Sequence, residues 1–349
     1  MSVHIVVDNL DKLSNLRAML EPRYAVSSAL LERGIIEHRD FKAVIVAADL
    51  RNIENIWALK EVFPKIRNAH KRVFVVEQKT RLLVAQAYGL GATCVLSYPV
   101  SLEKLLAALT NDDNSSATSS VVLSGAQEAA FAGASAISSM FSAVKRGSPI
   151  DVMGTQSAAA KIADNIADDG LSGWLQTVRL HYEGTYQHCL LVTGIAVDFG
   201  LRLGLTKADI FRLHSAAMFH DIGKAKIPFA VLDKPGPLDI REEALIQTHP
   251  VAGFDILQGT TGISFEVLDA VRHHHEYLDG SGYPDGLCAE NIADVVRILT
   301  IADIFAALIE YRSYKPCMSS ERAYEVIHSM RGKLEGPLVA AFKDVASSR

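Results

Sequence analysis

The chain has 349 residues, of which 49% are apolar and 21% are charged, and its formal net charge is −5. This length suits two or three domains of about 100–200 residues each, and the composition is that of a globular protein. The negative net charge gives no overall basic field, which disfavours a nucleic acid polymer as a partner.

The cysteines lie far apart and form no Cys-x-x-Cys pair; they are Cys94, Cys189, Cys288 and Cys317. This spacing argues against a disulfide framework and a thiolate zinc site, and it fits a reducing compartment. The N-terminus lacks the basic segment of a signal peptide, and no uncharged apolar run reaches the roughly 20 residues of a membrane helix. The sequence therefore predicts a cytoplasmic protein without a membrane partner.

The first third of the chain alternates short apolar strands with helices. Strands are predicted at 3–7, 43–47, 73–76 and 93–96, and helices at 10–20, up to about 70, at 80–89 and at 101–109. Continuous apolar strands between helices indicate a parallel sheet covered on both faces, which is a doubly wound α/β fold.

Over residues 1–112 this pattern resembles a response-regulator receiver domain. That family carries an acidic cluster and a phospho-accepting aspartate at the end of the third strand, where this chain has Ala47, with Asp49 two residues later. Tyr98 replaces the lysine of the family's Lys-Pro pair, and Asp8 is what remains of the acidic pair. Because Mg²⁺ prefers hard oxygen ligands, we expect a pseudo-receiver that docks partners or dimerises. Phosphorylation of Asp49 is the alternative.

Residues 113–170 connect the two halves of the chain. Their polar, Ser-rich beginning is typical of a linker, and two helices are predicted after it, at 125–144 and 155–168. These helices either form a coupling or dimer-forming stalk or pack on the next domain as an ordinary pair. The sequence leaves both interpretations open, so a homodimer stays a candidate assembly.

Residues 171–345 are predicted to be nearly all helical. Helices are expected at 207–221, 263–275 and 293–310, with an irregular loop at 224–240. The last of these helices is strongly apolar yet contains Asp303. A buried carboxylate carries a large desolvation penalty unless a cation compensates, and that cation is either a basic side chain or a metal ion.

Several histidines without another explanation favour the metal. Imidazole and carboxylate ligands without thiolate suit iron, manganese or zinc. Seven side chains exceed what one ion needs, which indicates two divalent ions about 3.5–4 Å apart, with Asp221 as the simplest bridge. The candidate ligands are His188, His220, Asp221, His249, His274, His275 and Asp303.

This segment is identified as a member of the HD-GYP family of HD-superfamily phosphohydrolases, which are bacterial cyclic di-GMP phosphodiesterases. The motifs that carry the resemblance are His220-Asp221-Ile222-Gly223-Lys224, Thr248-His249-Pro250, His274-His275-Glu276, Asp279-Gly280-Ser281-Gly282-Tyr283-Pro284 and Asp303. The resemblance implies one ion on His188, His220, Asp221 and Asp303, and a second on Asp221, His249, His274 and His275.

One departure concerns a third metal. Members that bind one carry a glutamate four residues before the position of His188, where this chain has Gly184, with Glu183 one step away. We therefore expect two metals rather than three. His214 and His273 fall outside the matched positions and are predicted to be structural.

The resemblance implies hydrolysis of cyclic di-GMP to pGpG, with GMP as a further product. Two cations can bind the non-bridging oxygens of a phosphodiester and lower the pKa of a shared water. Lys224 is predicted to hold phosphate as a point charge, and Arg312 and Lys315 match family positions that contact phosphate or guanine. Tyr283 is expected to shape the lip of the pocket and to stack on guanine.

Two alternatives remain. The chain is a cyclic di-GMP-responsive interaction protein with weak or no catalysis, docking protein partners through the pseudo-receiver and the loop 279–284, or it is an HD phosphohydrolase acting on another nucleotide. Glu276 and Asp279 are expected to fix the loop or to orient ligating histidines.

Overall fold

The computed structural model describes residues 2–31, 41–66, 68–77, 81–110, 124–181, 184–232, 234, 236–310 and 318–347. The chain divides into two compact units, residues 1–124 and 125–349. The Ser-rich stretch that was predicted as a linker lies almost wholly outside the described residues. The domain boundaries drawn from the sequence stay predictions.

The N-terminal unit is built on one parallel sheet. Its strands are β1 (Ser2–Val7), β2 (Ala25–Leu30), β3 (Ala43–Ala47), β4 (Lys71–Val76) and β5 (Cys94–Ser97). They pair in the order β2-β1-β3-β4-β5, with every neighbouring pair parallel. This is the strand order of flavodoxin-like doubly wound folds, and it confirms the α/β prediction for this half.

Within the described part of this unit, four helices accompany the sheet: α1 (Leu10–Leu20), α2 (Ile53–Ile66), α3 (Arg81–Gly89) and α4 (Leu102–Thr110). The alternate residues Val3, Ile5 and Val7 of β1 share one core with leucines of α1 and α4. The intervening residues of β1 are buried too, because a parallel strand between helices is covered on both faces.

The second unit is helical, as predicted. Its helices are α5 (Gly125–Arg146), α6 (Val152–Asp169), α7 (Leu171–His181), α8 (Gly184–Arg202), α9 (Lys207–Phe219), α10 (Phe229–Leu232), α11 (Ile240–Ile246), α12 (His249–Leu257), α13 (Phe265–His273), α14 (Asp294–Ile309), α15 (Ser320–Ser329), α16 (Gly336–Ala341) and α17 (Lys343–Ala346). Two 3₁₀ segments, Ile222–Lys226 and Ala289–Asn291, interrupt them. Among the described residues, no helix combines the length and the apolar character that crossing a lipid bilayer requires.

Helix α5 packs inside this unit. A Cβ on Gly133 would lie 2.6 Å from Leu190 Cδ2 of α8 and 3.0 Å from Ile162 Cδ1 of α6. The small residues of α5 therefore let three helix backbones approach closely. This packing corresponds to one of the two alternatives given for the helix predicted at 125–144, in which it packs on the next domain as one of an ordinary pair.

Two helices end earlier than predicted. The helices expected at 207–221 and 263–275 end at Phe219 and His273. Consecutive residues of an α-helix point about 100° apart, so neighbouring side chains cannot face one centre from within a helix. His274 and His275 follow the end of α13, and there both side chains can face the same centre.

Trp174 of α7 anchors the helical core. Its side chain is fully buried, and the indole Nε1 donates to the Leu190 carbonyl at 3.1 Å. Any side chain on Gly194, in the middle of α8, would overlap with the indole ring. The glycine therefore sets the distance between α7 and α8.

We predict that Gly194→Ala destabilises the helical unit by about 1–3 kcal/mol, the usual cost of forcing an extra methyl into a packed core. The matched control is Gly173→Ala in α7, where a Cβ would meet nothing within 4 Å and helix propensity alone favours alanine by roughly 0.5–1 kcal/mol. Urea denaturation followed by circular dichroism measures both. Equal midpoints for the two variants would contradict this account.

Candidate functional site

The seven predicted ligands converge in the helical unit. His188 projects from the second turn of α8 and Asp303 from the interior of α14, whereas the others sit at helix ends. His220 and Asp221 follow α9, His249 begins α12, and the remaining two histidines follow α13. Six of the seven are buried, and His275 is partly exposed.

Asp221 lies between two imidazole groups. Its Oδ2 is 3.3 Å from His220 Nε2 and 3.7 Å from His188 Nε2. Its Oδ1 faces the other way and is 3.2 Å from His249 Nε2. The two oxygens of one carboxylate thus reach two separate sets of nitrogens.

The first group of donors is His188, His220 and Asp303, whose ligand atoms lie within 4.8 Å of one another. His188 Nε2 is 2.8 Å from Asp303 Oδ1, and His220 Nε2 is 3.9 Å from the same oxygen. Burial would raise the pKa of Asp303, but the hydrogen bond with His188 and the charges of nearby imidazoles hold it well below its ordinary value.

The second group is His249, His274 and His275, again with ligand atoms within 4.8 Å of one another. The Nε2 atoms of His249 and His274 face each other at 3.2 Å. Burial, and then the charges of its neighbouring imidazoles, hold the pKa of His274 well below its ordinary value. Neutral imidazoles that turn lone pairs on one point fit a cation.

Three of the histidines are held in one tautomer by backbone carbonyls. A carbonyl only accepts, so each Nδ1 carries the proton and each Nε2 keeps its lone pair for the centre. Metal-ligating histidines usually have their second nitrogen fixed in this manner. The pairs are His220 Nδ1 with Ala217 O at 2.7 Å, His249 Nδ1 with Ile246 O at 2.7 Å, and His274 Nδ1 with Val271 O at 2.9 Å.

Gly223 brings the two sides of the site together. A Cβ at this position would overlap with the carbonyl oxygen of His249 and would come within 2.6 Å of the Gly253 nitrogen. The 3₁₀ segment that follows Asp221 therefore lies directly on the N-terminal turn of α12. This close approach is why Asp221 can reach His249.

The loop after α13 is fixed by Glu276. Its carboxylate is buried and accepts the backbone N–H groups of residues 285, 286 and 287 at 2.6, 2.9 and 3.0 Å. Gly282 allows the loop to touch the helix end, since a Cβ there would lie 2.5 Å from the Glu276 Cα. The loop-fixing role expected of Glu276 is confirmed.

The same loop places Tyr283 at the edge of the centre. Its ring stacks on His275, with centroids 4.7 Å apart and planes inclined by 26°. Asp279 tightens the turn before it by accepting from the Ser281 N–H and hydroxyl at 3.0 and 2.6 Å. The aromatic ring is thereby held flat beside a candidate ligand.

Lys224 contributes a positive charge. Its Nζ is 2.6 Å from Asp221 Oδ2. Burial lowers the pKa of Lys224, but the Asp221 carboxylate outweighs that effect and raises it. Burial would raise the pKa of Asp221, and the charges of His220 and Lys224 instead hold it well below its ordinary value. Both groups are therefore ionised at neutral pH.

Other predicted residues lie elsewhere. Arg312, Lys315 and Glu183 fall outside the described residues, and Gly184 begins α8 without a side chain to offer. His273 turns away from the centre, with Nδ1 2.8 Å from Asp269 Oδ1 and Nε2 2.9 Å from Asp285 Oδ2. His214 is buried on α9, and burial lowers its pKa to about 4.

Two groups near the site were missed from the sequence. Glu310 is buried, and its Oε2 is 3.2 Å from His188 Nδ1. It follows Asp303 by seven residues, a spacing that puts both on one helix face, and this was a usable signal. Cys189 places its sulfur within 4.8 Å of donor atoms of His220 and Asp221. Burial keeps the pKa of this thiol high.

The N-terminal unit carries an acidic cluster with its own cations. Lys12 Nζ is 3.2 Å from the Asp8 carboxylate and 2.7 Å from Glu77 Oε1, while Asp8 Oδ2 accepts the Asp49 N–H at 2.7 Å. Arg51 binds both oxygens of Asp49. Burial would raise the pKa of Asp49, but the hydrogen bonds from Arg51 lower it. Side-chain cations thus neutralise much of the cluster where a receiver would bind Mg²⁺.

The comparison with protein families decides the classification of the helical unit. A family model described as "HD domain" matches residues 138–337, which is more than half of the chain. The chain belongs to the HD-domain family. The match begins inside α5 and ends within α16, so it includes all seven converging side chains.

Curated relatives resemble parts of this HD-domain protein. The "cyclic di-GMP phosphodiesterase response regulator RpfG" of Xanthomonas campestris pv. campestris is 41% identical over 148 residues, which are 42% of this chain and 38% of that protein. The "3'3'-cGAMP-specific phosphodiesterase 2" of Vibrio cholerae is 37% identical over 131 residues, 37% of this chain and 25% of that one. The matches span less than half of either relative.

A solved structure supports the fold of the HD-domain protein. Bd1817, described as an HDG"Y"P protein from Bdellovibrio bacteriovorus, superposes with a TM-score of 0.53 at 18% identity and covers 71% of this chain and 78% of that chain. At this identity the likeness concerns the arrangement of elements.

We predict that Asp221→Asn lowers the metal content of the purified protein below one ion per chain. The amide keeps the shape but removes the charge that faces both imidazole groups, and charged oxygens are what hard cations bind. The control is Asp198→Asn, another buried carboxylate on α8, which pairs with Arg202 at 2.7 Å. Elemental analysis after dialysis measures both proteins, and equal metal in the two variants would refute the central role of Asp221.

We predict that acetyl phosphate with Mg²⁺ leaves Asp49 unmodified. The ammonium of Lys12 and the guanidinium of Arg51 already bind the oxygens that a metal and a phosphoryl group would need. Intact-mass and peptide mass spectrometry check this, with a phosphorylatable receiver protein treated in parallel as the positive control. An acyl-phosphate adduct on Asp49 would show that the unit works as a receiver.

Proposed function

We propose that the HD domain hydrolyses cyclic di-GMP to the linear dinucleotide pGpG, with GMP as the product of a further step. The observation that carries the proposal is the Asp221 carboxylate, whose two oxygens contact imidazoles of two groups. Such an arrangement suits a pair of cations on one phosphodiester. The name of the Xanthomonas relative supports the substrate class.

The proposal includes two divalent cations. One is assigned to His188, His220, Asp221 and Asp303, and the other to Asp221, His249, His274 and His275. Nitrogen and oxygen donors without thiolate suit iron or manganese, and zinc is the third candidate. Bound there, the cations would supply positive charge to the diester and acidify water.

Side chains of the domain have assigned roles toward the substrate. Lys224, with a side chain 19% exposed, offers a permanent positive charge to a phosphate oxygen at the side of Asp221. Tyr283 presents the face of its ring at the rim, where a guanine can stack. Arg312 and Lys315 are proposed to contact phosphate or guanine on their motif positions alone.

The protein partners and the cellular location are proposed from fewer observations. The N-terminal unit would dock a protein partner or a second copy of the chain, and the Gly-Tyr-Pro loop would offer another protein contact. The protein would act in the cytoplasm, where cyclic dinucleotides carry signals.

We predict that the metal-loaded protein converts cyclic di-GMP to pGpG and that His220→Ala lowers kcat/KM by about 10³-fold or more. Loss of a buried ligand removes several kcal/mol of charge stabilisation, and each 1.36 kcal/mol is about tenfold in rate. The control is His328→Ala, an exposed histidine on α15. Nucleotide chromatography over a time course measures substrate and products.

The substrate panel separates the alternatives. Cyclic di-GMP, 3'3'-cGAMP and pGpG are compared at equal concentration, with iron loaded anaerobically and manganese in parallel. Tight binding of cyclic di-GMP by calorimetry without product would instead favour an interaction protein. Turnover confined to 3'3'-cGAMP would keep the chemistry and replace the substrate.

A further inference from the structure

Glu310 is a buried charge without a place in the proposed ligand sets. It directly follows α14, and its side chain is 1% exposed. Its Oε2 lies 3.2 Å from His188 Nδ1, while His188 Nε2 on the other side of the ring lies 2.8 Å from Asp303 Oδ1. The imidazole therefore lies between one carboxylate of α14 and one directly after its C-terminal end.

This support differs from that of the other histidines. His220, His249 and His274 each use Nδ1 against a backbone carbonyl three residues earlier. A carbonyl is a neutral acceptor, whereas Glu310 brings a carboxylate oxygen to within 3.2 Å of His188 Nδ1. A carboxylate behind the ring also makes the opposite nitrogen a more basic ligand.

We infer that Glu310 is a positioning residue that fixes His188 with Nδ1 protonated and strengthens its Nε2 as a metal ligand. The inference rests on the metal-binding part of the proposed function. Helix α14 then supplies one site twice, with Asp303 as a direct ligand and Glu310 behind the histidine. The ion at His188 depends on Glu310, and the ion at His249, His274 and His275 does not.

The expected effect is selective. Removing a carboxylate behind a ligating histidine typically weakens metal binding about 10–100-fold. Glu310→Gln keeps the volume and a hydrogen-bond acceptor but loses the charge, so one class of site should weaken by that factor while the other keeps its affinity. At a free Mn²⁺ concentration below the dissociation constant of the weakened site and above those of the other sites, the variant should hold one ion per chain where the parent protein holds two.

The experiment uses the full chain, stripped with a chelator and titrated with Mn²⁺. Isothermal calorimetry gives the stoichiometry and both dissociation constants, and circular dichroism verifies folding. The control is Glu335→Gln, which removes a 2.6 Å charged hydrogen bond to Arg297 of the same helix α14 without touching a histidine. It should bind Mn²⁺ like the parent protein.

Each outcome decides the inference. Parental affinity at both sites in Glu310→Gln would overturn it, and so would equal weakening of both sites. If Glu310→Gln does not fold, Glu310→Asp takes its place. This variant keeps the charge but moves the carboxylate oxygens away from His188, so the affinity of one site should fall by a smaller factor. Parental affinity at both sites in Glu310→Asp would overturn the inference. A parent protein that binds no Mn²⁺ would instead remove the proposed function.

Discussion

A carboxylate buried between imidazoles is the interaction on which the helical unit's site depends. Asp221 has 1% of its surface exposed and contacts both donor groups at once. Gathering buried charges and imidazoles in one interior costs free energy, because desolvation is repaid only when every polar atom finds a partner. Apolar residues of the same volume would stabilise the fold as well or better. The donors that this arrangement gathers are those of a candidate cation site.

The surrounding fold explains how seven side chains can point to one place. A straight helix offers one residue per turn to a given point, and α8 and α14 each do so. The remaining ligands come from helix ends, where the chain turns and two successive residues can face the same way. The ring of Phe342 packs edge-on against Phe199 of α8 and Phe305 of α14, with centroids 4.9 Å apart in each pair, and so joins the two helices that carry His188 and Asp303.

Many of the strands and the candidate ligands could be predicted from the sequence, and the same physical reasons explain which features could not. Strand β3 is an unbroken apolar run, and within the apolar run Val3–Val7 of β1 only His4 is polar, so the short length and the β-branched residues of both indicated strands. The edge strand β2 was missed because Ser27 and Ser28 interrupt its apolar character, and a half-exposed edge tolerates them. The ligand set followed from residue types and motifs. The ends of α9 and α13 could not be predicted from the sequence. The helical periodicity of apolar residues continues past the residues at which these two helices end. Glu310 was missed because a charge at a helix end reads as solvated.

In each unit a lysine side chain contacts an aspartate that is buried or half-buried. The other groups around the aspartate differ between the two units, and this difference is why a metal is assigned to only one of them. Around Asp8, Asp49 and Glu77 the cations Lys12 and Arg51 bind the carboxylate oxygens directly. Around Asp221, Lys224 contacts one carboxylate oxygen, and the other contacts of Asp221 and Asp303 are with histidines. Five imidazoles collect at this point, and imidazole nitrogens are ligands that suit transition metals. The N-terminal cluster is charged but nearly self-compensated, whereas the helical cluster has donors to spare. Donors in excess of the protein's own cations, more than acidity itself, distinguish a metal site from a salt-bridge network.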